Sequence, residues 1–408
     1  MMKRILYAVV VSMVAFTALG HSAKQISNDE YSSAVNRVIS PEAASVIDSL
    51  SMIVGDVYGI GFGQLVRAEE DIDIAQVTKA VEILLNNQLD KDYVHGMYMG
   101  TCISDLFQAF KNEVGSDLNK ELFFEHLKAE LFTENPIDIT TAYTLEERIG
   151  DLAEQISSNG EGHNNAIIDS LSIALGTLYG ARTRNDDDSR SVDQEQALKG
   201  VVHVSSVQND KNYMTAVKIR CHVDEMIEGI QSQTHMPLNL DLFREHLINR
   251  LAVESVAEEF EQLTDQIEPL INRAAELSPA SIANKQAGEE YMKKLKADKT
   301  YKFTKSGLAY KMLKKGKGKK FKENDVVNVI YVGKHVDGTA FDSSEGEPIP
   351  LSVHQVIPGF AEMLKLMKPG SKAIVVIPSD LAYGTLGMQP QIGPNETLIF
   401  EMETVGVK

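Results

Sequence analysis

The 408-residue chain contains no tryptophan and two cysteines. Two thiols, Cys102 and Cys221, permit at most one disulfide, so a disulfide-built scaffold is excluded. Any aromatic pocket must come from the 13 Tyr and 14 Phe. Positive charge is also in short supply, with a formal net charge of −18. The deficit is uneven: residues 296–408 carry 16 Lys against 12 acidic residues, a surplus of +4, which leaves −22 on the preceding 295 residues. An acidic front of that size argues against nucleic acid as a partner, because polyanions are held by Lys and Arg. The cluster Lys314, Lys315, Lys317, Lys319, Lys320 and Lys322 is interleaved with Gly316 and Gly318 and lacks helical spacing, so it reads as a solvated turn.

What is present is ordinary for folded domains: 43% apolar and 24% charged residues, neither disordered nor built of many membrane spans. The length predicts two or three domains. At the N-terminus, Lys3 and Arg4 precede an apolar run from Ile5 to Gly20 that ends in Ala18-Leu19-Gly20. This is the pattern of a secretory signal peptide. A membrane anchor fits less well, because the run is about 16 residues where a bilayer needs about 20. No cysteine follows the run, which excludes a lipoprotein signal. A periplasmic or secreted protein is expected.

The next 250 or so residues hold one unit written twice. Val46-Ile-Asp-Ser-Leu-Ser-Met-Ile-Val-Gly-Asp-Val-Tyr-Gly59 recurs as Ile167-Ile-Asp-Ser-Leu-Ser-Ile-Ala-Leu-Gly-Thr-Leu-Tyr-Gly180. Asp90-Lys-Asp-Tyr93 recurs at Asp210–Tyr213, and Leu118–Leu127 recurs at Leu238–Leu247, always 120 or 121 residues on. So long a period marks a domain duplication rather than a solenoid. Leu50, Val54 and Val57, and likewise Leu171, Leu175 and Leu178, form apolar helical stripes. Asn119 and Asn239 read as helix N-caps, with Leu118 and Phe123, or Leu238 and Phe243, as flanking staples. After each copy comes a seam spaced 4-3-4, Leu145-Ile149-Leu152-Ile156 and Val256-Phe260-Leu263-Ile267, suited to a helix lying along another.

Three motif-like features carry no chemistry. The loop Arg182–Ser191 with Asp186, Asp187 and Asp188 lacks the glycine and terminal glutamate of a calcium loop. Gly59-x-Gly61-x-Gly63 lacks dinucleotide spacing and follows no strand. His126 and His246 recur in Glu-His-Leu and read as packing groups rather than metal ligands. Neither a metal nor a cofactor is expected.

From Tyr301 the pattern changes to short alternating runs. Val326–Val332, Ala373–Ile377 and Thr397–Val405 read as strands. Pro358–Met367 reads as a short helix opened by its proline and closed by Gly370. A preceding helix spans Ser281–Lys296. Here the sequence resembles the FKBP family of peptidyl-prolyl isomerases, through Ser306–Tyr310, Val329–Gly333, Asp337–Ser344, Val356–Phe360, Leu366–Gly370, Ile377–Gly384 and Ile392–Phe400, all in family order. The resemblance implies an α+β domain, an antiparallel half-barrel sheet around a short helix. It assigns Tyr331, Phe341 and Phe400 to the walls of a proline slot, with Val356, Ile357 and Ile392 beside them and Phe360 as its floor. Asp342 and Tyr383 would stand at the rim; the Ile357 N–H and the Tyr383 hydroxyl would hold substrate carbonyls. Macrolide inhibitors would share the slot. The sequence departs from the family in three places: Phe360 stands where tryptophan is usual, the pair Glu347 and Ile349 where an aromatic pair is common, and Met388 where histidine or an aromatic residue is frequent.

Ala283–Met292 followed by Ser306-Gly-Leu is similar to the junction in exported bacterial isomerases of the macrophage infectivity potentiator and FkpA kind, whose helical N-terminal module dimerises. The expected organisation is multidomain: a signal peptide at 1–20, helical repeats at 24–157 and 158–272, a linker helix at 273–299 and the isomerase domain at 300–408. The two repeats are expected to pair as a pseudo-dimer within one chain, the alternative being a homodimer. In an oxidising compartment Cys102 and Cys221 could form a disulfide across that pairing, or remain buried thiols. Unfolded or proline-containing polypeptides are the expected partners. A chaperone or adaptor with the fold but little catalysis is the alternative reading, and a surface-binding scaffold is a third.

Overall fold

The computed structural model describes residues 39–158, 165–184, 192–254, 257–388 and 390–407. The segment read as a signal peptide, Val256 of the second seam, and residues 185–191 of the Asp-rich loop lie outside the described residues. The chain divides into two compact units, one built from Val54–Gly229 with Asp241–Leu263, the other from 39–53, Ile230–Leu240 and Thr264–Lys408.

The helices are α1 (Pro41–Ala68), α2 (Ile74–Asn86), α3 (Lys91–Val114), α4 (Lys120–Leu131) and α5 (Ile139–Ser158), then α6 (Asn165–Arg184), α7 (Gln194–Val207), α8 (Lys211–Thr234), α9 (Leu240–Leu251), α10 (Ala257–Thr264), α11 (Ile267–Leu277) and α12 (Pro279–Ala297). The two copies exchange helices. In the first unit α4 of the first copy lies on α6 of the second, so close that a Cβ on Gly176 or Gly180 would fall 2.2 or 2.5 Å from the carbonyl oxygen of Phe123 or Leu127. The contact recurs with the copies interchanged, where a Cβ on Gly55 or Gly59 of α1 would fall 2.5 Å from the carbonyl oxygen of Phe243 or Leu247 of α9. The predicted N-cap supplies part of the reason. Asn119 Oδ1 accepts the Leu122 N–H, while its own N–H and Nδ2 donate to Ser172 Oγ and Asp169 Oδ1 of the other copy. In the second unit Asn239 donates in the same way to Ser51 Oγ and Asp48 Oδ1. The duplicated Asp-Ser-Leu-Ser motif is thus the receptor for the duplicated Leu-Asn cap, across copies rather than within one.

The core of the first unit contains Phe107, Phe123, Leu127, Leu171, Leu175, Leu178 and Tyr179, and the seam residues Ile149 and Ile156 of α5 are buried in it with Leu145 and Leu152 packed alongside. The second seam does not run as one helix. α10 ends at Thr264 and α11 starts at Ile267, with Phe260 and Leu263 only half-buried. Pro269 is the physical reason: in a continuous helix its ring would strike the carbonyl four residues back, whereas in the first turn of α11 its missing N–H costs nothing. Cys102 on α3 and Cys221 on α8 are free thiols. Lys218 of α8 bridges Asp105 of α3 at 2.9 Å, about one helical turn from each cysteine.

In the second unit Ser278 Oγ caps α12 by accepting the Ser281 N–H. The strands are β1 (Lys302–Phe303), β2 (Ala309–Lys314), β3 (Val326–Lys334), β4 (Ala340–Ser343), β5 (Ile349–Ser352), β6 (Lys372–Ile377) and β7 (Leu398–Val407), with α13 (Pro358–Leu366) between β5 and β6. All pairs are antiparallel, in the order β1-β2-β6-β7-β3-β4, with β5 sharing the outer edge of β3. Strand alternation explains the layering. Val327 and Val329, Ala373, Val375 and Ile377, and Leu398, Phe400 and Met402 face α13, which contributes Phe360, Met363 and Leu364. Val376 and Ile399 face the other way and pack with Leu295, Tyr291 and Met292 of α12.

Candidate active site

The aromatic residues singled out in the sequence converge at the mouth between α13 and the sheet. Phe360 meets Phe400 at a ring-centroid distance of 5.2 Å and 89°, and Tyr331 at 5.9 Å and 85°. Tyr331 lies 6.1 Å from Phe400, and Phe341 lies 5.7 Å from Phe400 at 90°. The three edge-to-face pairs, Phe360–Phe400, Phe360–Tyr331 and Phe341–Phe400, put the positive rim of one ring on the negative face of the next. Phe360, Phe400 and Ile392 are buried; Tyr331, Phe341, Val356, Ile357 and Tyr383 are half-buried in the same cluster. Asp342 is exposed at its edge.

Each position has a local cause. Tyr331 and Gly333 follow Val327 and Val329 on the inner face of β3, and Gly333 stands opposite Phe400 of β7. A Cβ there would fall 2.7 Å from Phe341 Cζ and 2.9 Å from Phe400 Cε1, so only glycine lets the two rings close over the strand. Phe341 should point away from Asp342 by simple alternation. The pairing slips between Gly333 and Lys334, which face Asp342 and Ala340, leaving Phe341 as the extra residue of a bulge. The bulge turns its ring into the cluster. Ile357 is the N-cap of α13, where helix geometry leaves N–H groups without carbonyl partners, and its N–H has no acceptor among the described residues.

The polar rim is organised around Asp342. The Tyr331 hydroxyl donates to Asp342 Oδ2 at 2.5 Å. Burial first, then this hydrogen bond and the Asp342 charge, push the Tyr331 hydroxyl well above the usual phenol range. Tyr383 is raised too, by burial and then by the Asp342 charge. Both phenols therefore stay protonated as donors at any ordinary pH.

Two residues not singled out in the sequence, His335 and Glu396, flank the cluster. His335 lies 5.1 Å from the Phe341 ring and meets Glu396 Oε1 at 2.5 Å through Nδ1. Glu396 Oε2 also accepts the Gly393 N–H next to Ile392. The Gly393–Glu396 run within the Ile392–Phe400 motif is the sequence signal for Glu396; nothing marked His335. Of the three departures, Phe360 is buried against the Phe400 and Tyr331 rings, Met388 is exposed and bridges Ile392, Ile349 starts β5, and Glu347 lies exposed in the turn before it.

A family model described as FKBP-type peptidyl-prolyl cis-trans isomerase matches residues 317–405. The probable FKBP-type peptidyl-prolyl cis-trans isomerase FkpA of Neisseria meningitidis is 45% identical over 127 residues, 31% of this chain and 47% of that protein. The outer membrane protein MIP of Legionella longbeachae is 42% identical over 141 residues, 34% of this chain and 60% of that protein. These two matches span less than two thirds of either relative. FkpA of Escherichia coli K12 is 33% identical over 232 residues, 56% of this chain and 78% of that protein. The crystal structure of FkpA from Escherichia coli superposes with a TM-score of 0.32 at 33% identity, covering 46% of this chain and 90% of that one.

Proposed function

The chain belongs to the family of FKBP-type peptidyl-prolyl cis-trans isomerases, and on that premise we propose that its C-terminal domain, 300–408, accelerates rotation about X-Pro bonds in exported or folding polypeptides. The task explains the residue types. Rotation of a peptide bond is opposed by a barrier of about 18–20 kcal/mol from resonance, and an X-Pro bond exchanges over tens to hundreds of seconds. No bond is broken and no proton must leave. Catalysis needs interactions that favour the twisted amide over either planar form.

The four-ring cluster, with centroids spaced 5.2–6.1 Å, is the observation that carries this reading. Phe360 as floor and Tyr331, Phe341 and Phe400 as walls grip the proline ring, with Val356, Ile357 and Ile392 lining the side. The Ile357 N–H and the Tyr383 hydroxyl hold substrate carbonyls on either side of the rotating bond. Asp342 orients Tyr331 and presents a fixed negative charge at the rim. A twisted amide loses the conjugation that places positive charge on nitrogen, and an apolar slot suits that less polar state. Macrolides compete for the same slot.

The helical repeats, 24–157 and 158–272 with the linker 273–299, recruit clients and imitate a dimer in one chain. Reciprocal exchange of α4 and α9 supports the pseudo-dimer; exposed Leu65, Ile83, Phe132, Tyr143 and Val202 support client contact. We assign the protein to an exported, periplasmic or secreted location. A protease-coupled assay on a short X-Pro peptide with the full chain tests the catalytic reading. Acceleration, suppressed by a macrolide and by Phe400→Ala, is expected; a folded chain with no acceleration would leave the chaperone or adaptor reading. Sedimentation should give one-chain mass at every concentration, and a dilution-resistant two-chain mass would reject the pseudo-dimer.

A further inference from the structure

The helical repeats carry one residue that the duplication itself marks as anomalous. α3 ends in the first copy at Gly115, whose backbone is left-handed with φ 71°. The equivalent position 120 residues on, just after α8, is His235, held in the same left-handed region at φ 55°. Glycine adopts this conformation freely, whereas a histidine there carries backbone strain that its surroundings must offset. The turn is fixed from both sides: Thr234 Oγ accepts the Met236 N–H, Met236 and Leu238 are buried, and the Asn239 N–H donates to Ser51 Oγ. A Cβ on Gly115 would meet nothing within 4 Å. The His235 ring, by contrast, reaches the isomerase domain, where Nε2 donates to the Leu386 carbonyl oxygen at 3.2 Å.

Leu386 belongs to the lip of the slot. The described residues 383–388 and 390–392 run from Tyr383 at one end to Ile392 at the other, and both are residues of the proposed slot. The lip turns on Gly384 and Gly387, with φ 62° and 69°, and closes through paired backbone hydrogen bonds of 2.8 Å between Met388 and Ile392. Its apolar side chains Leu386 and Met388 are exposed beside the slot. The far flank is tied to α12, where Asn284 Nδ2 donates to the Pro394 carbonyl and Asn395 Nδ2 donates to Ser281 Oγ. His235 is the tie on the near side.

We propose that His235 is a positioning residue: from the helical repeats it fixes the lip that carries Tyr383 and Ile392, and so sets how the slot accepts the residues around proline. The inference rests on the isomerase reading above and extends it. The first copy, with no isomerase domain after it, has glycine at this position; the second has a side chain at the cost of backbone strain.

His235→Gly in the full chain separates function from structure, because glycine relieves the left-handed backbone while removing the tie. Its Tm should equal or exceed that of the wild type. kcat/KM should fall about three- to tenfold, the worth of one lost hydrogen bond. The loss should vary with the residue before proline across a peptide panel, and His235→Gln, which keeps a donor amide of similar reach, should recover part of it. Backbone amide exchange at Gly387–Ile392 should speed up in His235→Gly by a similar factor. A folded His235→Gly protein with wild-type rates on every peptide and unchanged lip exchange overturns the proposal. If the wild type itself fails to accelerate isomerisation, the catalytic reading fails, and the exchange measurement still decides whether His235 holds the lip.

Discussion

Gly333→Ala places a single methyl group against two rings of the proposed slot, Phe341 and Phe400. Gly333 is not in the left-handed backbone region, so alanine adds no backbone strain there and the clash is the whole effect. The added carbon would lie 2.7 and 2.8 Å from Phe341 Cζ and Cε2 and 2.9 Å from Phe400 Cε1. Carbon atoms in contact settle at about 3.5–4.0 Å, so the rings must retreat by about 0.6–1.3 Å. Phe400 is 5% exposed and hemmed in by Tyr331 and Phe360, whereas Phe341 is half-exposed and opens onto solvent. Phe341 should therefore yield, swinging outward and widening the slot. Overpacking of this kind costs about 1–3 kcal/mol, measurable as a shift in the urea midpoint without a change in slope. A displacement near 1 Å at a wall of the proposed slot should lower kcat/KM by up to about 100-fold, against an unchanged far-ultraviolet circular dichroism spectrum. A folded Gly333→Ala protein with wild-type midpoint and rate would refute this packing of the slot.

Gly180→Ala should destabilise the helical exchange by about 1–3 kcal/mol, because its methyl group would meet the Leu127 carbonyl at 2.5 Å. Gly229→Ala, also within a helix but with nothing within 4 Å of the new carbon, should instead stabilise by about 0.5–1 kcal/mol; denaturant titration of both variants checks the contrast. Burial, and then the Asp224 charge, push the Cys221 thiol up to about 12. An alkylating reagent at pH 8 should label it far more slowly in the native protein than in urea. Its raised folded value also adds stability that is complete below the unfolded thiol value of about 8.5 and is lost as pH climbs towards 12. Thermal midpoints across that alkaline window should fall less in Cys221→Ala than in the wild type.

The sheet domain was legible because its chemistry is local in sequence. Strand alternation located β3, β6 and β7, and the residues named for the slot meet in one cluster with Asp342 at its edge. The Asn119 cap formed as read. What was hidden depends on pairings that no short window contains. The repeat announced two copies but not that α4 of one would lie on α6 of the other, since either partner satisfies the same apolar stripe. Gly59 and Gly63, dismissed as a poor dinucleotide fingerprint, instead admit the Leu247 and Leu251 carbonyls to α1. Phe341 reaches the slot only through a register slip, and the second seam breaks because the geometric demand of Pro269 outweighs its apolar spacing. His335 and Glu396 are far apart in sequence and meet only when β3 and the run before β7 are brought together.

Magnetisation-exchange spectroscopy on an X-Pro peptide at equilibrium, with catalytic amounts of the full chain, tests most directly whether the slot turns prolyl bonds. Cis–trans exchange should accelerate in proportion to protein concentration, leave the isomer ratio untouched, and fall to near the uncatalysed rate in Phe400→Ala. Exchange at the uncatalysed rate in the presence of folded wild-type protein would contradict the assignment.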